Sequence, residues 1–163
     1  LSPGEIGVWF AATPVGYMFG NFITRWLAQK WGLESMTLIG SIISFLSIFL
    51  LFLMTMGELQ NPFLISFTGM VMGFSAGLVI PNATMGAIAS AGRLAGSASG
   101  FAGALQMGFG VIGGSMIAAV GGYELFHLGL FIIILMAVLG VYASLMAKSI
   151  PLSETRPSQS TIP

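Results

Sequence analysis

Five long apolar runs, separated by short connections that hold most of the charged residues, are the feature that most constrains the fold of this chain. Charged residues make up only 6% of the sequence, against about 25% in an ordinary globular domain. Each run is near the ~20 residues that a helix needs to cross about 30 Å of hydrocarbon. The sequence therefore predicts an all-α integral membrane protein, a polytopic bundle of five transmembrane helices at about 6–27, 36–56, 62–89, 96–120 and 125–146.

The ends of the runs divide the chain into a transmembrane domain, residues 1–149, and a tail, residues 150–163. Ser2 and Pro3 before the first run, and Asn61 and Pro62 before the third, are a capping residue followed by a proline that suits the first helical position. The tail is rich in Ser, Thr and Pro and has no apolar period, which predicts disorder. The chain opens on Leu1 without a basic n-region, so we expect a truncated N-terminus rather than a signal peptide.

Basic residues occur in alternate connections, which predicts the orientation in the membrane. The positive connections follow the first run, precede the fourth and follow the fifth, with Arg25, Lys30, Arg93, Lys148 and Arg156. The other connections hold Glu5, Glu58, Glu124 and His127. The positive-inside rule then places the N-terminal side outside and the tail in the cytoplasm.

Composition separates the helices into two kinds. Runs two and five are mostly Leu, Ile, Phe and Met, and we expect them at the periphery, although run two carries a face of small residues, Thr37, Gly40, Ser41, Ser44 and Ser47. Runs one, three and four are rich in glycine and polar residues, which predicts close helix packing or the lining of a cavity. The glycine lines expected to pack are Gly69, Gly73 and Gly77 on run three, and Gly96, Gly100, Gly103, Gly110 and Gly114 on run four.

Polar residues form separate lines on the same three helices and are the candidates for a substrate path. Seven-residue spacing places them along one side of a helix, and an amide in hydrocarbon must find a partner helix or an aqueous cavity. Interhelical bonding is the alternative role for these groups, above all for Gln106. The candidates are Thr13, Tyr17 and Asn21 on run one, Thr68, Ser75 and Asn82 on run three, and Ser99 and Gln106 on run four.

Prolines inside two runs predict bends. Pro81 cannot donate to the carbonyl of Gly77, and Pro14 likewise frees the carbonyl of Phe10. Pro14, Gly77 and Pro81 are therefore hinge candidates, with a static kink as the alternative at Pro81.

The sequence lacks the residues that catalytic and metal-binding sites require. There is one His, no Cys and no Asp, and no ionisable side chain lies at mid-depth of a run, so triad and metal sites are not expected. His127 is expected to be a solvated interfacial imidazole. No basic cluster indicates a nucleic-acid partner. The sequence predicts neither an enzyme nor a bound cofactor.

The segment from Ile80 to Gly110 resembles the tenth and eleventh helices of major facilitator drug exporters, above all the Bcr/CflA drug-resistance group. The residues that carry the resemblance are Pro81, Asn82, Ala95, Gly96, Ala98, Ser99 and Gln106. The segment from Gly20 to Gly32 is similar to the weaker copy of the family's basic loop motif, without the carboxylate of the first copy. The five runs would then be helices eight to twelve, a partial C-terminal bundle of the major facilitator fold.

The resemblance implies a secondary active transporter of the bacterial inner membrane that exports drug-like amphipathic molecules in exchange for protons by alternating access. Its partners would be the lipid bilayer, the small-molecule substrate, protons, and a missing N-terminal bundle of the same chain that holds the titrating groups. A major facilitator permease for a sugar or other metabolite is the first alternative. A membrane scaffold subunit without transport activity is the second, and it predicts polar lines occupied by interhelical bonds.

Overall fold

The computed structural model describes residues 3–57, 61–120 and 126–149, which are almost entirely helical and contain no strand within these ranges. The helices are α1 (Pro3–Phe10), α2 (Ala12–Trp31), α3 (Leu33–Met56), α4 (Pro62–Ala91), α5 (Ala95–Val120) and α6 (Phe126–Ser149). A short 3-10 turn, Gly92–Leu94, joins α4 to α5. The predicted tail, residues 150–163, lies outside the described residues.

Three helical stretches of the described residues are long and apolar enough to cross a membrane. They are Leu33–Met56, Pro62–Met116 and Gly129–Ser149, and the second combines α4 with most of α5 across the 3-10 turn. At 1.5 Å per residue, a helix of the length of α3 extends about 36 Å, enough for the hydrocarbon layer. The chain is thus compatible with a multi-pass helical membrane protein, and the crossing of five separate segments stays a prediction.

Asn61 and Pro62 start α4 as predicted. The side-chain oxygen of Asn61 accepts a hydrogen bond from the amide of Phe63 at 3.0 Å, and Pro62 occupies the first turn, where its missing N–H has no carbonyl to meet. Two glycines in the left-handed region end helices, Gly32 (φ 81°) after α2 and Gly92 (φ 51°) after α4. Residues with a Cβ rarely adopt this conformation.

The first predicted span comprises two helices, α1 and α2, with Ala11 between them. Ala11 keeps right-handed helical backbone angles, and the backbone hydrogen bonds continue on both sides of it: its amide donates to the carbonyl of Gly7 at 3.1 Å, and the amide of Val15 donates to its carbonyl at 3.3 Å. Pro14 sits in the first turn of α2, and its ring removes the amide that would have donated to the carbonyl of Phe10. The bend predicted at Pro14 stays a prediction.

The helix α4 is the centre of the bundle, with α2 on one side, α3 on another and α5 attached less extensively, while α6 packs chiefly on α3. Residues of α2 contact residues of α4 in the same order along both helices: Thr13 contacts Gly73, and Gly20 contacts Gly77. The helix α2 therefore runs parallel to α4. Ser47 donates to the carbonyl of Thr68 at 2.8 Å, and Gly40 contacts Ser75, so α3 runs antiparallel to α4.

The helix of run two buries one face and exposes the other, so its predicted peripheral position stays a prediction. The helix α3 lies between α4 and α6 and buries one face, because its small residues allow close approach. At Gly40 an added Cβ would lie 2.7 Å from Val79 Cγ2 and 2.9 Å from Leu78 Cβ. The buried residues of α3 are Met36, Gly40, Ser41, Ser47, Ile48 and Met54. The helix α6, also predicted to be peripheral, is mostly exposed over its described side chains.

Glycine packing is confirmed on α4 and differs on α5. Gly73 and Gly77 lie against the backbone of α2, at the carbonyls of Thr13 and Tyr17. On α5, in contrast, the positions of an added Cβ at Gly96, Gly100, Gly103, Gly110 and Gly114 have no neighbouring atom within 4 Å. The partly buried side of α5 carries alanines instead, Ala95, Ala98 and Ala102. The glycine line of α5 therefore does not mediate a helix contact among the described residues.

A serine pair joins α3 to α6 and gives a direct test of this arrangement. Ser144 donates to the carbonyl of Gly140 at 2.8 Å, which leaves its oxygen to accept from Ser41 at 2.9 Å. We expect Ser41→Ala and Ser144→Ala to be coupled by about 0.6 kcal/mol, the usual size of such bonds in membrane bundles. Unfolding of the single and double variants by detergent titration measures this coupling energy.

Thr37 supplies the matched control for the serine pair, because its hydroxyl donates within α3, to the carbonyl of Leu33 at 2.9 Å. Thr37→Val combined with Ser144→Ala should be additive. Equal coupling of Ser144 with Thr37 and with Ser41 would contradict the observed α3–α6 contact.

Candidate substrate path

The predicted polar face of α2 packs against α4. Gly16 and Gly20 of α2 are buried against the backbone of α4, at the carbonyls of Met70 and Phe74. Thr13 and Thr24 flank these glycines on the same face; Thr13 is half-buried and Thr24 is buried. The residues of this face therefore form an interhelical seam. Gly16, which the sequence reading did not single out, completes the small-residue spacing with Gly20.

The polar line of α4 is buried between helices. Thr68 and Ser75 are 3% and 1% exposed, and both hydroxyls donate to carbonyls of their own helix, those of Ile65 and Met72 at 2.7 Å. Their backbones face α3, since the Thr68 carbonyl accepts from Ser47 and the Ser75 carbonyl lies beside Gly40.

Asn82, the third residue of that line, faces α2. Its side chain is 2% exposed, and its amide nitrogen donates to Thr24 Oγ1 at 3.4 Å and to the carbonyl of Leu78. All three polar residues of the line thus have hydrogen-bond partners inside the bundle. Their predicted role in a substrate path is untested by these contacts, which give each of them a structural role as well.

Tyr17 and Asn21 lie at the edge of the α2–α4 seam. Tyr17 is 38% exposed, and Asn21 is half-buried. The Asn21 amide donates to the carbonyl of Tyr17 at 2.9 Å, within α2. These two side chains border the seam without bridging it through a described hydrogen bond.

Ser99 and Gln106 are exposed on α5, apart from the buried line of α4. Gln106 follows the partly buried Ala102 by four residues, which places it only about 40° round the helix from the side that meets α4. Its amide has no hydrogen-bond partner among the described residues. The predicted candidates therefore form two groups, a buried one at the α2–α4 and α3–α4 contacts and an exposed one on α5.

An open apolar groove of about 430 Å³ lies beside Ala11, and the sequence pattern did not predict it. It lies between the α1–α2 segment and the N-terminal half of α4, and its aromatic rim is the edge-to-face pair of Trp9 and Phe63, whose ring centroids are 6.4 Å apart. The lining residues are Val8, Trp9, Ala11, Ala12, Val15, Phe63, Ser66, Phe67 and Met70.

The chemistry of these surfaces is that of apolar contact with sparse hydrogen bonding. Among the described residues, no three His, Cys, Asp or Glu side chains come together as a metal site would require. Ser66 is the one hydroxyl residue in the groove lining. Such a surface suits an apolar molecule and gives little means of selecting one by polar groups.

Comparison with protein-family models, with curated proteins and with solved structures finds no match to this chain.

Proposed function

We propose that the chain forms part of a proton-coupled membrane transporter of the major facilitator type that exports drug-like amphipathic molecules by alternating access. In this proposal all five predicted runs cross the bilayer, and the titrating groups lie elsewhere in the transporter. The sequence resemblance of Ile80 to Gly110 suggests the family, and the geometry of the described residues adds two supports.

The observation that carries the proposal is the open apolar groove between the α1–α2 segment and α4. Binding sites for small molecules are concave and mostly apolar. Trp9, Phe63, Phe67 and Met70 line the groove. Aromatic and thioether side chains accommodate apolar molecules of different shapes, because the flexible thioether of Met adapts and the rings present large contact faces.

The second support concerns orientation. The helices α2 and α4 are parallel, so their C-terminal ends lie at the same end of the bundle. Ser41 near the start of α3 meets Ser144 near the end of α6, which places the C-terminal end of α6 at that end as well. Four exposed cations sit there, Arg25, Lys30, Arg93 and Lys148, together with Glu34. We propose that this basic end is cytoplasmic, because Lys and Arg decide orientation while acidic residues contribute little.

Cysteine labelling tests that orientation, and the chain holds no native cysteine that would react. Ser35→Cys, at the basic end, should be labelled by an impermeant reagent only after the membrane is opened. Gln60→Cys should be labelled in intact cells, because α3 separates the two positions. Labelling of both positions from one side would contradict the orientation.

A dye-accumulation assay tests the transport function. The reading frame that encodes these residues is expressed in a bacterial host whose own drug exporters have been deleted. We expect lower accumulation of a lipophilic cationic dye, restored by a protonophore. Unchanged dye accumulation together with uptake of a sugar or metabolite would favour the permease alternative.

The scaffold alternative has its own support in the burial of the α4 polar line. Thr68, Ser75 and Asn82 are all bonded inside the bundle, as a subunit without a transport role would require. No change in the accumulation of any solute, with the protein present in the membrane at a normal level, would favour it. A scaffold formed by this chain alone would give no role to the amide of Gln106, whose side chain is exposed.

A further inference from the structure

The two prolines inside the predicted spans each leave a backbone carbonyl without its helical donor, because proline has no amide hydrogen. Pro14 frees the carbonyl of Phe10, and Pro81 frees that of Gly77. Around Pro14 the backbone hydrogen bonds from Ala11 to Gly7 and from Val15 to Ala11 are present, and α4 runs from Pro62 to Ala91 through Pro81. The two sites differ in the surroundings of the freed carbonyl.

The carbonyl freed by Pro81 belongs to Gly77, and it is buried at the α2–α4 seam. Thr24 of α2 donates its hydroxyl hydrogen to this carbonyl at 3.3 Å. The Thr24 side chain is itself buried, at 9% exposure, so water does not supply an alternative donor from an open surface. A residue on the neighbouring helix thus takes the place of the missing backbone amide.

Asn82 fixes the donor in this position. Its amide nitrogen donates to Thr24 Oγ1 at 3.4 Å and to the carbonyl of Leu78 on its own helix. The Thr24 oxygen is occupied as an acceptor, and its hydrogen is directed to Gly77. Thr24, Asn82 and the Gly77 carbonyl together form a group that we call the proline clasp.

The region of Pro14 has no such group. Phe10, whose carbonyl Pro14 frees, is 75% exposed, and none of the described side chains donates a hydrogen bond to that carbonyl. Of the two freed carbonyls, that of Gly77 accepts a hydrogen bond from a described side chain and that of Phe10 does not.

We propose that Thr24 holds α4 intact at Pro81, by donating across the helix boundary the hydrogen bond that proline removes. The clasp couples α2 to α4 as one unit. Among the hinge candidates, Gly77 and Pro81 are then a locked position, whereas Pro14 has no such lock among the described residues. This inference depends only on the helix contacts and stands whether or not the chain belongs to a transporter.

A double-mutant cycle on the full chain tests the clasp, with Thr24→Val, Pro81→Ala and the double variant. In the Pro81→Ala variant the amide at position 81 can donate to Gly77 within α4, so the threonine hydroxyl becomes dispensable there. We expect Thr24→Val to lower the folded-to-unfolded ratio by roughly threefold more in the presence of Pro81 than in its absence. Thr24→Ser keeps the hydroxyl and should resemble the unaltered protein. An equal loss in both backgrounds would show that Thr24 acts by packing alone and would overturn the proposal.

A spectroscopic measurement keeps the test decisive if a variant unfolds irreversibly. Three glycines precede a leucine, Gly32, Gly77 and Gly129, so labelling glycine carbonyls with carbon-13 and leucine amides with nitrogen-15 gives three carbonyl signals. We expect the Gly77 signal to move upfield in Thr24→Val and to stay in place in Thr24→Ser, while the other two signals are unchanged. A Gly77 carbonyl that does not respond to Thr24→Val would refute the clasp.

Discussion

Replacing Gly73 by alanine is expected to separate α2 from α4 and to cause the largest loss of stability of any single-methyl addition considered for this chain. An added Cβ would meet the backbone carbonyl of Thr13, and a backbone atom cannot turn aside as the end of a flexible side chain can. Overpacking of this kind costs roughly 1–3 kcal/mol, and occasionally more. The free energy of unfolding in detergent and the amount of protein in the membrane measure the effect.

Gly100→Ala is the matched control, since it adds the same methyl group to the interior of a helix where no atom of another described helix lies within 4 Å. Alanine is the better helix former by about 1 kcal/mol, so this variant should be neutral or slightly more stable. In Gly73→Ala the same gain in helix propensity offsets part of the expected loss of stability. Equal stability of the two variants would show that the α2–α4 seam is looser than described, and a large loss in Gly100→Ala would show that another surface covers α5.

The glycine contacts show what the sequence could and could not predict. Spacing identifies the line Gly69, Gly73 and Gly77, because glycines four residues apart share a helix face. The same spacing on α5 gives an equally regular line that meets nothing within the described residues. The sequence of one helix shows which of its faces carries small residues. Whether another helix packs on that face depends on the positions of the other helices.

The position of α3 is a second case of this limit. Its small-residue face is visible in the sequence, but the two helices that this face meets, α4 and α6, are not. In a bilayer the apolar residues of a helix do not distinguish lipid from protein, because the lipid tails are as apolar as leucine. The small-residue face therefore determined the packing.

The prolines were identified correctly as sites where a backbone carbonyl loses its donor. The replacement donor at Pro81 could not be predicted locally, since Thr24 and Gly77 are 53 positions apart. Local sequence predicts the loss of a hydrogen bond, and the tertiary contact supplies another donor.

Asn82→Ala and Gln106→Ala should separate the two groups of candidate residues. Asn82 is 2% exposed and donates to Thr24 and to the Leu78 carbonyl. Its truncation removes these bonds and leaves a small void in the seam, so we expect a loss of about 1–3 kcal/mol and less protein in the membrane. Gln106 is exposed and has no described partner within the described residues, so Gln106→Ala should leave the protein level unchanged.

The functional half of this prediction depends on the proposed transport activity. With protein level normalised, Gln106→Ala should change which of several drugs the host resists, because the amide would face the substrate path from α5. Asn82→Ala should lower resistance to all of them in proportion to the lost protein. The measurement is a resistance profile set against membrane protein abundance for both variants. If Gln106→Ala loses as much protein as Asn82→Ala, then Gln106 is held by a partner helix and its assignment to the path is wrong. A changed drug profile at normal abundance in Asn82→Ala would instead support the predicted place of Asn82 in the substrate path, because a residue that only joins α2 to α4 cannot alter selectivity without altering the folded amount.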